Sequence, residues 1–214
     1  MEFTHIDSWK NGKTVPQKQI QQAILELGQQ TEYPGHWRAF LTSMSKILAE
    51  SSKSPLNLLD VGCGSGVHYV LSERHFPNNI KYVGCDYSPN AVALAAQQWG
   101  GKYVHMNYKQ LTKENASHVD ILLACSLTNV LPDADKCIEH LLDLGAKYII
   151  LNKVLITDDD SKFFTYTAYD EIETYKFYHN LDNLLETFKR YGYTGVIDQN
   201  ESDNRNFLLT KNED

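Results

Sequence analysis

The segment that most restricts the fold is Leu58-Leu59-Asp60-Val61-Gly62-Cys63-Gly64-Ser65-Gly66, an apolar run that ends in three glycines at alternate positions. An aliphatic run this short reads as a buried strand. Glycines directly after it permit positive φ and leave no Cβ in the way, so a ligand can lie against the backbone at the N-terminus of the following helix. The same glycines also suit a tight strand-to-helix turn with no ligand at all.

The downstream sequence keeps that rhythm. Short apolar runs, Leu56 to Val61, Ile80 to Cys85, Lys102 to Met106, Val119 to Ala124 and Tyr148 to Leu151, alternate with helix-length segments. This predicts βαβ units and a parallel sheet. Ser88-Pro89 predicts an N-cap and first helical residue for a helix over Ala91 to Trp99, ended by Gly100-Gly101; another runs from about Asp133 to Leu144 and stops at Gly145. Upstream of residue 55 the apolar spacing is helical, through Ile20, Ala23, Ile24 and Leu27 and again through Phe40, Leu41, Met44, Ile47 and Leu48, with a break at Tyr33-Pro34-Gly35. The Tyr-rich polar stretch at about 157–179 is too long for a simple connection and predicts a lid or binding loop. A helix, Leu181 to Tyr191, then precedes a hairpin of Thr194 to Asp198 and Asn206 to Thr210, turning around Glu201-Ser202-Asp203-Asn204. The expected organisation is a helical cap over 1–54 and one α/β domain over 55–214.

With 214 residues there is room for one such domain with additions. A net charge of -7 disfavours a phosphate backbone as partner, because nucleic-acid binding rests on Lys and Arg. Cys63, Cys85, Cys125 and Cys137 show no paired spacing, which argues against a zinc site or a disulfide framework and for reduced thiols in a cytoplasm. No apolar run approaches the length that spans a bilayer, so neither export nor membrane insertion is expected.

A second strand ends at Tyr82-Val83-Gly84-Cys85-Asp86, an acid roughly twenty residues beyond the glycines, where a carboxylate can accept both hydroxyls of a ribose. A surface helix cap is the alternative reading. Asn107 follows the third strand, in a place to meet an adenine edge. Together with Val119-Asp120-Ile121-Leu122-Leu123-Ala124-Cys125, these residues resemble the class I S-adenosylmethionine (SAM)-dependent methyltransferases. The likeness extends to Phe188-Lys189-Arg190-Tyr191-Gly192-Tyr193 and Phe207-Leu208-Leu209, and so covers roughly 56 to 211. It implies a Rossmann-like, seven-stranded, mostly parallel sheet of order 3-2-1-4-5-7-6 with strand 7 antiparallel, and SAM at the carboxyl ends of the first strands. A narrower likeness, carried by Gly66-Val67-His68-Tyr69, Asn152-Lys153 and the tyrosines before Asn180, is to methyltransferases of bacterial surface-polysaccharide clusters.

Carried over by position, the resemblance implies that Gly62, Gly64 and Gly66 face the methionine portion of SAM, while Asp60 orients the loop or the ammonium through water. It places Asp86 on the ribose, Tyr87 and Asn107 at the adenine, and Cys125 and Ser126 beside the cofactor after the fourth strand. Asn107 departs from the family's usual Asp. SAM's sulfonium activates the methyl group, so the protein must mainly position a nucleophile and exclude water. If the nucleophile is a hydroxyl, His179 is the first candidate base, and Lys153 a charge for an acidic substrate. Asn129 and Tyr175 are further candidate acceptor contacts, whereas His68 is expected to be a structural hydrogen-bonder. Each of these has a plain alternative as a loop or packing residue. Trp9, Tyr33, His36 and Trp37 would either cover the SAM site or brace the sheet.

The fourth strand ends Leu123-Ala124-Cys125, without the acid of catechol-binding metal-dependent methyltransferases, so no metal is expected, and Asp158-Asp159-Asp160 reads as a solvated run. Ser126-Leu127-Thr128-Asn129 is not the Asn/Asp-Pro-Pro-aromatic sequence of nucleic-acid amino methyltransferases. The function expected is O- or N-methylation of a small molecule with release of S-adenosyl-L-homocysteine (SAH), by a monomer or homodimer. The alternatives are an NAD(P)-dependent oxidoreductase and a non-catalytic SAM-binding protein.

Overall fold

The computed structural model describes residues 5–12, 14–29, 32–198 and 204–212. Three helices come first, α1 (His5–Asn11), α2 (Val15–Gly28) and α3 (Gly35–Glu50). The alternation then follows as β1 (Leu56–Val61), α4 (Val67–His75), β2 (Ile80–Asp86), α5 (Pro89–Trp99), β3 (Lys102–His105), β4 (Ile121–Cys125), α6 (Ala134–Asp143) and β5 (Tyr148–Thr157). The chain closes with β6 (Lys162–Ala168), β7 (Ile172–Asn180), α7 (Leu181–Arg190), β8 (Tyr193–Asp198) and β9 (Asn204–Lys211).

Strands β3, β2, β1, β4 and β5 lie side by side and parallel. Beyond β5 comes β9, antiparallel, and then β8, antiparallel to β9. With β8 and β9 as sixth and seventh strands of the seven-strand frame, this is the expected order. The mixed α/β fold is Rossmann-like, and two further strands extend it. The stretch expected as a lid or loop is a β6–β7 hairpin whose β7 continues the sheet from the far end of β5, pairing His179 with Ile156. The fifth strand is accordingly longer than its apolar run predicts, because after Leu151 it gains β7 as a second neighbour. The hairpin turn expected around Glu201 to Asn204 lies largely outside the described residues.

Strands covered on both faces can be apolar throughout, which is why β4 reads Ile-Leu-Leu-Ala-Cys. On one face Phe40, Met44 and Ile47 of α3 pack with Leu71, Leu58, Ile121 and Ile150. On the other, Ile138, Leu141 and Leu142 of α6 and Phe188 of α7 pack with Leu122, Ile149 and Phe207. Ser88 caps α5, its hydroxyl accepting from Ala91 N at 3.3 Å, with Pro89 beginning the helix as the sequence predicts.

α1 and α2 reach across the carboxyl ends of the strands and fasten to the hairpin. Trp9 Nε1 donates to Thr174 Oγ1 at 2.8 Å, Lys18 Nζ to Tyr169 O at 2.5 Å, and Thr14 N to Glu171 Oε2 at 3.2 Å. Val15, Ala168 and Ile172 bury a small apolar cluster there against Trp9. Two segments distant in sequence thereby form one roof.

Phe207 is 1% exposed, pairs with Leu151 and stacks edge-on against Phe188 with centroids 5.3 Å apart. Phe207→Ala should cost on the order of 3–5 kcal/mol, read as a lower urea midpoint at unchanged slope. A loss under about 1 kcal/mol would mean that β9 does not close the core as described.

Candidate functional site

β1 runs straight into the glycine turn. The N–H groups of Gly62 and Cys63 both donate to Cys85 O, at 2.8 and 3.0 Å, so the turn is tied to the end of β2. Gly62 and Gly64, with φ of 72° and 51°, line a cavity of about 270 Å3 at the carboxyl ends of the strands. A Cβ on Gly62 would lie 3.0 Å from Leu127 Cδ1, and one on Gly64 would lie 3.2 Å from Gln19 Oε1. Side chains would therefore narrow the cradle between the β4 loop and α2. Gly66 differs from the expectation. Its missing Cβ would meet Tyr103 Oη at 2.6 Å and Ala95 Cβ at 2.9 Å, so it lets α4 approach β3 and α5 and does not line the cavity.

Asp86 ends β2 at the cavity wall, where its two carboxylate oxygens accept from Gly64 N at 2.9 Å and from Ser88 N at 2.8 Å. Burial raises its pKa above the usual carboxylate value, against the pull of those two donors. Tyr87, Met106, Asn107 and Tyr108 continue this wall, and Cys125, Ser126 and Leu127 form the opposite one. Asn107 lines the cavity as expected, but its side-chain oxygen also caps the turn Tyr108–Gln110, accepting from Lys109 N at 3.0 Å. The Tyr87 hydroxyl donates to Asp7 at 3.0 Å and its ring lies under Lys10, which ties α1 to the site. Trp9, Val15, Pro16 and Gln19 from above, with Tyr166 and Tyr169 of the hairpin, complete the roof. Trp9 thus covers the cavity, whereas Tyr33 packs on Trp37 and His75, and Trp37, buried against the sheet, also lines a neighbouring cleft.

Four residues singled out from the sequence sit elsewhere. Asp60 is fully buried outside the cavity lining, accepting from Tyr82 Oη at 2.7 Å and lying 3.0 Å from His68 Nδ1. It anchors α4 beneath the glycine turn. His179 is fully buried on β7, its Nδ1 2.7 Å from Asp135 Oδ1, and does not line the cavity. Asn129 is 7% exposed and spends its amide on the backbone of β5, accepting from Leu155 N at 3.0 Å and donating to Lys153 O. Tyr175 packs on Phe163 and is not a cavity residue; side chains alternate along β7, and its neighbour Thr174 takes the face toward Trp9. Lys153 does line the cavity.

A second cleft adjoins the first and shares Gln19, Gly62, Gly64, Cys125, Ser126, Lys153 and Tyr169 with it; His36 and His68 enter only here. Burial, then the charges of Lys153 and His68, push the His36 pKa down to about 3. For His68 burial acts downward, but the Asp60 carboxylate, aided by the Cys125 thiol, outweighs it and lifts the pKa to about 10. His36 was expected only as a cover or brace residue, because the helix-start Gly35-His36-Trp37 carries no motif that would place it in a cleft. His68 was legible only as a hydrogen-bonder one turn past the glycines.

The sign of the His68 shift gives a stability prediction. Since the folded-state pKa lies above the unfolded value near 6.5, the ion pair contributes fully below pH 6.5, and its contribution is lost as pH rises through about 10. Urea titrations across that window should show wild-type stability falling more steeply than that of His68→Gln. Parallel curves would remove the buried imidazolium.

Residues 59–146 match a family model described as a methyltransferase domain. Ribosomal protein L11 methyltransferase of Burkholderia ambifaria is 29% identical over 129 residues, which is 60% of this chain and 42% of that protein, so the chain spans less than half the length of this curated relative. The solved structure of magnesium protoporphyrin IX methyltransferase from Synechocystis PCC 6803 with bound SAH superposes with a TM-score of 0.65 at 15% identity, over 96% of this chain and 97% of that one. The 1,6-didemethyltoxoflavin-N1-methyltransferase of Burkholderia thailandensis, with 1,6-didemethyltoxoflavin and SAH bound, gives 0.58 at 14% identity, over 93% and 88%. Residues 59–146 thus resemble a methyltransferase domain, and the chain shares the Rossmann-like α/β fold of these solved structures.

Proposed function

We propose that the chain binds SAM in the roofed cavity and transfers its methyl group to a hydroxyl or amine of a small acceptor, releasing SAH. The observation that carries this reading is the pairing of an open glycine backbone at Gly62 and Gly64 with the Asp86 carboxylate across one cavity. SAM would supply a methyl group already activated by its sulfonium. Gly62 and Gly64 would lie against its methionine portion, Asp86 would accept from the ribose hydroxyls, and Tyr87 and Asn107 would wall the adenine. Cys125 and Ser126 form the side nearest the second cleft, where the acceptor would sit.

The roof of α1, α2 and the hairpin excludes water, and the junction of the two clefts fixes the direction of approach. His36 stays neutral at physiological pH. Burial, with Lys153 and His68, holds its pKa down to about 3, so in this reading it would hydrogen-bond the acceptor as a neutral ring lining the second cleft. His179, held by Asp135 away from both clefts, is a packing residue in this reading.

A non-catalytic SAM-binding protein has no need of a second cleft meeting the first beside Cys125 and Lys153, and the two SAH-bound neighbours favour SAM over a nicotinamide. The roof and the acidic charge favour a small acceptor over nucleic acid. Among the described residues no helix is long and apolar enough to cross a membrane. Four free cysteines suit a reducing cytoplasm. The narrower likeness to surface-polysaccharide enzymes rests on its own residues.

Isothermal titration should show SAH binding to the wild type without NAD or NADP binding. Asp86→Ala should weaken SAH at least tenfold, as charge-assisted hydrogen bonds worth about 1.5–3 kcal/mol are lost. Binding of NAD but not SAH would defeat the reading, and an unchanged Asp86→Ala affinity would take Asp86 out of the site.

A further inference from the structure

Lys153 sits where β5 and β9 lose register, between Leu151 and Val154, with a φ of 55°. That is backbone conformation which glycine adopts freely and lysine does not. It is held by side chains: Asn206 Oδ1 accepts from Lys153 N at 3.1 Å, and Asn129 grips Lys153 O and, at 3.0 Å, Leu155 N. Both asparagines are buried, Asn129 at 7% and Asn206 at 4% exposure. A bulge needed only to bend the strand would be served by glycine, so the lysine side chain is what this arrangement keeps, and strain of this kind gathers at functional sites.

The half-buried side chain faces both clefts at their junction, and among the described residues no carboxylate pairs with it. One layer deeper, beneath the glycine turn, lies the His68 ring, with Nδ1 3.0 Å from Asp60 Oδ2 and the Cys125 thiol nearby. The acids that face this region are engaged elsewhere. Glu26, at the cleft's edge, accepts from Gln22 at 2.6 Å; Asp86, across the first cavity, is bound to Gly64 and Ser88; Asp60 is shared by His68 and Tyr82. In a chain with a net charge of -7, Lys153 thus lies at the meeting point of the clefts with no carboxylate partner among the described residues.

We propose that Lys153, backed by His68, is a subsite for a carboxylate at the junction of the two clefts. Lys153 makes the contact and His68 adds its field from below; His36, kept neutral by burial and then by these two neighbours, offers a hydrogen bond beside it. The inference rests on the methyl-transfer reading, and the carboxylate belongs either to the methionine end of the cofactor or to an acidic acceptor.

Titration calorimetry with SAH and with 5′-methylthioadenosine, which lacks the amino-acid end, separates the two sources. If the cofactor supplies the carboxylate, Lys153→Met weakens SAH tenfold or more and leaves methylthioadenosine unchanged, while Lys153→Arg restores SAH. If the acceptor supplies it, both nucleosides bind Lys153→Met as they bind wild type. Benzoate added to the SAH-saturated protein then shifts the ring NMR signals of His36 and His68 in wild type and Lys153→Arg but not in Lys153→Met. Lys153→Gly, which relieves the positive φ and also lacks the charge, must repeat the Lys153→Met result, so that misfolding is not mistaken for loss of the subsite. Unchanged SAH binding together with identical benzoate responses in all variants would overturn the proposal. If wild type binds neither nucleoside, the SAM reading fails, and the benzoate arm on the ligand-free protein tests the subsite by itself.

Discussion

The hydrogen bonds from Gly62 N, Cys63 N and Gly64 N to the end of β2 decide most of what this chain can do. They hold a strand-to-helix turn in a conformation that needs glycine, and they bring Asp86 to its rim. A parallel sheet with short connections would form without them. The cavity needs them, because a relaxed turn with side chains would close against Leu127 and Gln19.

The site is assembled from layers that depend on this turn. Beneath it, Asp60, His68 and Tyr82 form a buried polar knot that fixes α4, with Asp60 Oδ1 and His68 Nε2 showing no hydrogen-bond partner among the described residues. Above it, α1 and α2 are held down less by their own apolar stripes than by the hairpin, through Trp9, Thr14 and Lys18. Beside it, the buried asparagines 129 and 206 fix the bulge of β5. Polar side chains are thus used where the backbone departs from regular geometry, and apolar ones where it does not.

This division explains what the sequence could disclose. Periodicity marks buried faces, so the βαβ rhythm, the helices before residue 55 and the antiparallel pairing of the last two strands were legible; of the residues singled out for binding, Gly62, Gly64, Asp86, Tyr87, Asn107, Cys125 and Lys153 line the cavity. Contacts set by tertiary closure were not. Nothing in the spacing of Gly66 separates a ligand-facing glycine from one that admits Tyr103, and nothing near His179 reveals that Asp135, 44 positions away, takes its ring. Tyr175 and Tyr166 look alike in a Tyr-rich stretch; only the hairpin register turns one toward the cavity and the other away. His36 has no motif and gains its place through the packing of α3.

The central claim is that the backbone at Gly62 and Gly64 is the floor of an adenosyl-ligand site under a two-part roof. Hydrogen–deuterium exchange with saturating SAH tests it most directly. The account predicts slowed exchange across 62–65 and 86–88, together with the roof segments around Trp9 and Tyr169. Unchanged exchange in all of these, with SAH shown to be bound, would place the ligand elsewhere and contradict the account.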